Sequence, residues 1–170
     1  MEIEWFIQPV HIYLSKLGRK ILLNERVFWS HKQWINVVKE FTDVFIIVSA
    51  WEGAEIFDRL SAYKILENIH IKGLCGLVLT DIRWRHVSER YGYSSKPFIA
   101  VGGPRVNSVA RNIAKKLGIK ETSSAVGFTK INGIPVGYVW GRDARKTLLL
   151  TDTFISKYLN KFIEEILKRK

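Results

Sequence analysis

Three short stretches carry the residues best suited to chemistry. In Gly102-Gly103-Pro104-Arg105-Val106-Asn107, two glycines let an anion approach the main chain and Arg105 supplies a guanidinium to hold it. Thr80-Asp81-Ile82-Arg83-Trp84-Arg85-His86 reads as the most polar and aromatic loop of the chain. There Asp81 can fix Arg83 or Arg85 by a charge-assisted pair, leaving the other arginine and Trp84 to hold a phosphate and stack a flat ring. Glu52 follows a strong apolar run and can serve as an acid, a base or an acceptor for a ribose hydroxyl. Each stretch also has a plain structural reading. Gly-Gly-Pro starts a helix well, with Gly103 as N-cap and Pro104 in the first helical position; Asp81 and an arginine make an ion pair; Glu52, Glu55 and Asp58 complement a helix dipole.

Other chemistries find no pattern. His11, His31, His70 and His86 stand far apart with no metal-ligand spacing, and Cys75 has no second cysteine to pair with. Its place in the apolar run Leu74–Leu79 predicts a buried, inert core residue. The glycine turn matches neither the dinucleotide fingerprint nor a Walker loop, and no nucleophile elbow is present. The candidate ligand set is therefore Gly102, Gly103, Arg105, Asn107, Asp81, Arg83 and Glu52, with no catalytic role, metal or cofactor assigned.

These residues acquire a common address through the elements that hold them. Apolar runs near residues 44–50, 74–80 and 97–102 read as strands covered on both faces, joined by a second pair of strands, 125–130 and 134–140, around Asn132-Gly133. Helical spacing is clear in Val106, Val109, Ala110, Ile113, Ala114 and Leu117, and a last helix is capped by Asp143. A helix of about residues 53–69 is expected to cover the sheet with Ile56, Phe57, Leu60 and Tyr63. Ser88–Lys96 reads as a loop able to act as a flap. At the amino end, Trp5-Phe6-Ile7 suggests a strand stopped by Pro9. Ile12, Leu14, Ile21 and Leu23 alternate as a hairpin around Leu17-Gly18-Arg19, although Leu14, Leu17 and Ile21 also fit a helix. Ser30–Gln33 forms a capping box for a helix over about 31–42.

The pattern predicts one three-layer α/β domain over residues 1–170, with a mostly parallel sheet, an antiparallel hairpin strand and a C-terminal helix. A length of 170 residues with 47% hydrophobic content suits one substantial core. Parallel strands linked by right-handed crossovers put their carboxyl ends on one edge, so Glu52, Asp81, Arg83 and the Gly102–Asn107 turn are expected to meet there.

Charge narrows the choice of partner. The formal net charge is +11, and from Arg83 to Lys120 nine lysines and arginines face the single acid Glu89. Such a stretch attracts phosphate groups, which points to an anionic small molecule or to nucleic acid. For Arg111, Lys115 and Lys116 the simpler reading is a solvated helix face. No stretch is long and apolar enough to span a membrane and the first residues do not resemble a secretory signal, so an intracellular, cytoplasmic protein is expected. Few prolines with frequent Lys, Ile and Glu would suit a thermophile.

Val101-Gly102-Gly103-Pro104 with Asn107, followed by Gly137-Tyr138-Val139-Trp140-Gly141 and by Asp143 with Thr147, resembles a module of archaeal S-layer proteins over roughly residues 97–160. The resemblance implies an α/β module in which Asn107 and Asp143 shape turns. S-layer proteins are secreted and usually acidic, whereas this chain is basic. The function expected first is binding of a phosphorylated or nucleotide-like ligand at the carboxyl edge of the sheet, with nucleic-acid binding or a structural, partner-binding module as the alternatives.

Overall fold

Val44–Val48 (β3) is buried at every position, as an apolar run between two layers of helices must be. It pairs in parallel with Gly76–Thr80 (β4) on one side and Phe98–Val101 (β5) on the other. Ile134–Trp140 (β7) continues the sheet parallel to β5, and Ala125–Ile131 (β6) closes it antiparallel to β7, giving the order β4-β3-β5-β7-β6. Asn132 and Gly133 join the last two strands, both with positive φ (52° and 74°), which is what the two-residue hairpin turn demands.

The computed structural model describes residues 13–14, 19–20 and 38–169. The Trp5–Ile7 strand, the Ser30–Gln33 capping box and the first part of the 31–42 helix lie outside the described residues; Val38 to Phe41 are helical. Tyr13–Leu14 (β1) and Arg19–Lys20 (β2) pair antiparallel, Tyr13 opposite Lys20 and Leu14 opposite Arg19, so these four residues adopt the hairpin arrangement and not the helical one.

Alternate residues of each strand feed two cores. Val44, Ile46 and Val48 pack with Ala62, Ile65 and Ile69 of Glu52–Ile71 (α1), and with Phe154 and Phe162 of Ala144–Lys157 (α4) and Leu159–Leu167 (α5). Phe45 and Ile47 face the other way, toward Asp81–Tyr91 (α2) and Ser108–Leu117 (α3). The result is the three-layer α/β fold with one antiparallel strand that the sequence pattern implies. Among the described residues no helix is long and apolar enough to cross a membrane.

Several local expectations are corrected. Thr80–His86 is not a loop: Thr80 caps α2 by accepting from Arg83 N at 3.3 Å, and Trp84, Val87 and Tyr91 turn inward at helical spacing. The proposed flap, Ser88–Lys96, is not a loop: Ser88–Tyr91 end α2, and Tyr93–Ser95 form a short 3-10 turn whose Tyr93 is buried against Phe45. Ile56, Phe57, Leu60 and Tyr63 do not cover the sheet; they are 51–68% exposed, and α1 buries Ser61, Ala62, Ile65 and Ile69 instead. Cys75 is half-buried, because it leads into β4, the edge strand, which is only half-covered along its whole length. The last helix is two, broken at Tyr158.

Candidate functional site

The carboxyl ends of β3, β5 and β7 lie side by side, and β3 and β5 are the strands from which the chain departs to opposite faces: α1 packs on one, α3 on the other. A sheet reversing in this way leaves a crevice between the two loops, the usual ligand position in open α/β folds. Here it measures about 490 Å³. It is lined by Trp51, Phe57 and Asp58 from the start of α1, by Gly103, Arg105 and Val106, by Glu121 and Thr122, and by Arg142, Asp143 and Thr147.

Its walls are fixed by side chains that tie one strand-end loop to the next. Ser49 Oγ donates to Val106 O at 2.8 Å and accepts from Trp51 N at 3.0 Å. Asp81 Oδ1 accepts from Ala50 N (2.9 Å), and its Oδ2 accepts from Ser108 N (2.8 Å) and Ser108 Oγ (2.7 Å). Burial pushes the Asp81 pKa up, but the bonds from Ser108, Ala50 and Ile82 outweigh it and leave the carboxyl below its usual value. Thr147 Oγ1 accepts from Gly141 N at 2.9 Å and donates to Asp143 O at 3.0 Å, and Asp143 Oδ1 caps α4 through Lys146 N at 2.7 Å.

Asn107 is the fully buried centre of this lattice. Its Nδ2 donates to Ile47 O (3.0 Å) and Val101 O (2.9 Å), joining β3 to β5, while Oδ1 accepts from Val109 N (3.0 Å) and Ala110 N (3.2 Å). The helix after the glycine turn therefore begins at Ser108 with Asn107 as its N-cap; Gly103 does not cap it, and Pro104 lies in a preceding turn closed by Val106 N and Asn107 N on Gly103 O. This corrects the expected anion site. The first N–H groups of α3 are bound by Asn107 and by the Asp81 carboxylate, which stands where a phosphate would.

The expected site residues thus divide. Arg105 and Gly103 line the crevice. Asp81 and Asn107 reach the same edge of the sheet but turn inward and hold the loops together. Gly102 is buried under the crevice, with φ of 99° and its N–H on Val139 O at 3.0 Å. Glu52 is exposed on α1 outside the lining, and Arg83 is exposed on α2, on the other side of the sheet. Trp84 is packed against Phe45 and Phe98, so it is no stacking platform.

Asp58 is the residue that dipole reasoning passed over. It is only 5% exposed, and its Oδ2, enclosed against Gly102, has no hydrogen-bond partner among the described residues. Ser61, one turn further along the same face of α1, has a buried hydroxyl in the same condition. Burial pushes the Asp58 pKa up to about 7, so near neutral pH this carboxyl exists both as a hydrogen-bond donor and as an anion. A sequence signal for it does exist: Asp58 shares the Ser61, Ala62, Ile65 spacing of small and apolar residues. No protein-family model matches the chain, and no curated protein matches it.

Proposed function

We propose that the protein binds a phosphorylated or nucleotide-like small molecule in the crevice over β3, β5 and β7. The observation that carries this reading is the convergence of Arg105 and Arg142, from two separate strand-end loops, with the exposed Trp51 on one concavity of ligand size. Two guanidiniums can share a phosphate in forked geometry, and the indole of Trp51 with the ring of Phe57 offers flat surface for a base or sugar. Glu121 and Asp143 also line the crevice, so the anionic group belongs between the arginines. Asp58 beneath them is partly neutral near pH 7, which lowers the cost of bringing an anion close.

The test is a thermal-shift panel of nucleoside phosphates, sugar phosphates, unphosphorylated nucleosides and inorganic phosphate, since a ligand that binds the native state raises its melting temperature. A phosphorylated member is expected to raise it, and Arg105→Ala and Arg142→Ala are each expected to remove that response while leaving the ligand-free melting temperature within a degree or so, as both arginines are exposed. No shift from any member, or a shift that persists in both variants, would overturn the assignment.

A further inference from the structure

The two helical layers differ in charge. On α2 and α3, which share one face of the sheet, Arg83, Arg85, Arg90, Arg111, Lys115 and Lys116 stand against one exposed acid, Glu89. On α1, α4 and α5, across the sheet, acids and bases are mixed and several are joined in ion pairs, among them Arg59 with Glu55, Lys64 with Asp152 and Lys168 with Glu165. Of the two helical layers, the one formed by α2 and α3 is therefore the more uniformly positive.

That face is also concave. A groove of about 460 Å³ runs between α2 and α3 to the β6–β7 turn and shares no lining residue with the crevice. Half-buried Phe98, Ile131 and Ile134 supply apolar surface, while Ser88, Asn112 and Asn132 supply uncharged hydrogen-bonding groups. Three cations and one acid, Glu89, stand along it. Arg111 is committed to its own loop, donating to Pro104 O and Arg105 O at 2.9 Å and lying 3.7 Å from Glu121. Arg85 and Lys116, one from each helix, have no acidic partner among the described residues.

We propose that this groove binds single-stranded nucleic acid, with phosphates on Arg85 and Lys116 and bases against Phe98, Ile131 and Ile134. Apolar surface flanked by cations and amides is what an unpaired strand requires, because it presents splayed bases beside its backbone charge. A duplex keeps its bases stacked and offers the slot only phosphates. An anionic membrane would meet the cations and leave the apolar part of the groove unused.

The proposal is tested by fluorescence anisotropy with a labelled single-stranded oligouridylate and its oligodeoxythymidylate counterpart, in competition with a duplex of equal length and with phosphatidylserine vesicles. Binding is expected at about 50 mM salt and should weaken steeply toward about 200 mM. The Arg85→Gln/Lys116→Gln protein is expected to bind at least ten-fold more weakly and to lose about 1.4 from the salt slope, about 0.7 for each phosphate contact. A Lys157→Gln/Lys161→Gln protein, altered on the opposite layer, is expected to behave as the parent; Lys116→Gln alone replaces the double variant should the latter melt early. No binding at low salt, equal losses in both double variants, or stronger competition by duplex or vesicles than by unlabelled single strand would each overturn it.

Discussion

A Cβ placed on residue 102 would lie 2.0 Å from Asp58 Oδ2, and φ at that position is 99°, so a glycine is required both by its backbone and by the carboxylate it shelters. Gly103, given the weight of the turn when the sequence is read alone, has a negative or extended φ, and a Cβ there would meet only Gly141 O at 3.9 Å. The pairing of Asp58 with Gly102 could not be read from sequence, since the Asp58, Ser61, Ala62, Ile65 spacing competes with the more hydrophobic Ile56, Leu60, Tyr63 stripe and only tertiary packing decides which of them is buried. Its consequence is a pH dependence of definite sign. In the unfolded chain Asp58 titrates near 3.8 and in the native state near 7. Between those values the native protein holds a proton that the unfolded chain has released, so stability falls as pH rises through this window and stays at the lower level above it. Asp58→Asn abolishes that loss. The variant is expected to fall below the parent near pH 4, where only the cost of a buried amide is felt, and to exceed it by about 1–3 kcal/mol at pH 8, the range one expects for a shift of this kind less that same cost. Urea unfolding at the two pH values measures it; a variant less stable than the parent at pH 8 would show that the carboxylate is satisfied after all.

At the scale of elements, strands were legible and helix faces less so. A strand buried on both sides shows itself as an unbroken apolar run, which is why Val44–Val48 and Phe98–Val101 stand out. Helix α2 was obscured because only a narrow stripe of it, Trp84, Val87 and Tyr91, meets the core, while arginines and a histidine fill the rest. Helix α1 carries two competing stripes. Ile56, Leu60 and Tyr63 form the more hydrophobic one, yet Ser61, Ala62 and Ile65 are buried, since small side chains let the helix lie close to the sheet and to α4. The two stripes give a direct comparison. Leu60→Gln is expected to change stability by less than about 0.5 kcal/mol, as a surface substitution does, whereas Ile65→Ala should cost about 2–5 kcal/mol through the cavity it leaves. Chemical denaturation of both variants decides which stripe faces the core, and a costly Leu60→Gln with a tolerated Ile65→Ala would reverse the assignment.

For the molecule as a whole, the handedness of crossovers carried the prediction further than any motif. Parallel strands had to bring Asp81, Asn107 and the glycine turn to one edge, and they do, with Ser108 held by Asp81 beside Asn107. What topology does not specify is the direction each side chain takes once there. Buried backbone groups at the loop starts need partners, and Asp81 and Asn107 are drawn inward to supply them, which leaves the crevice to Arg105, Arg142 and Trp51. Asn107 carries the most of this load. Its amide donates to two different strands and its carbonyl oxygen accepts from two N–H groups of α3, so all four capacities of the side chain are used. Asn107→Ala removes the four bonds and the cap together, and a loss of at least about 3 kcal/mol is expected in urea unfolding. Asn107→Asp separates the two functions: it keeps the acceptor for Val109 and Ala110 but turns an oxygen toward Ile47 O and Val101 O, where no donor remains. If the bridge between β3 and β5 matters as well as the cap, the aspartate variant must be destabilised relative to the parent, and more so at pH 8, where its buried carboxyl tends to ionise, than at pH 5. Parent-like stability of Asn107→Asp at both pH values would reduce Asn107 to a helix cap and remove it from the joint between the strands.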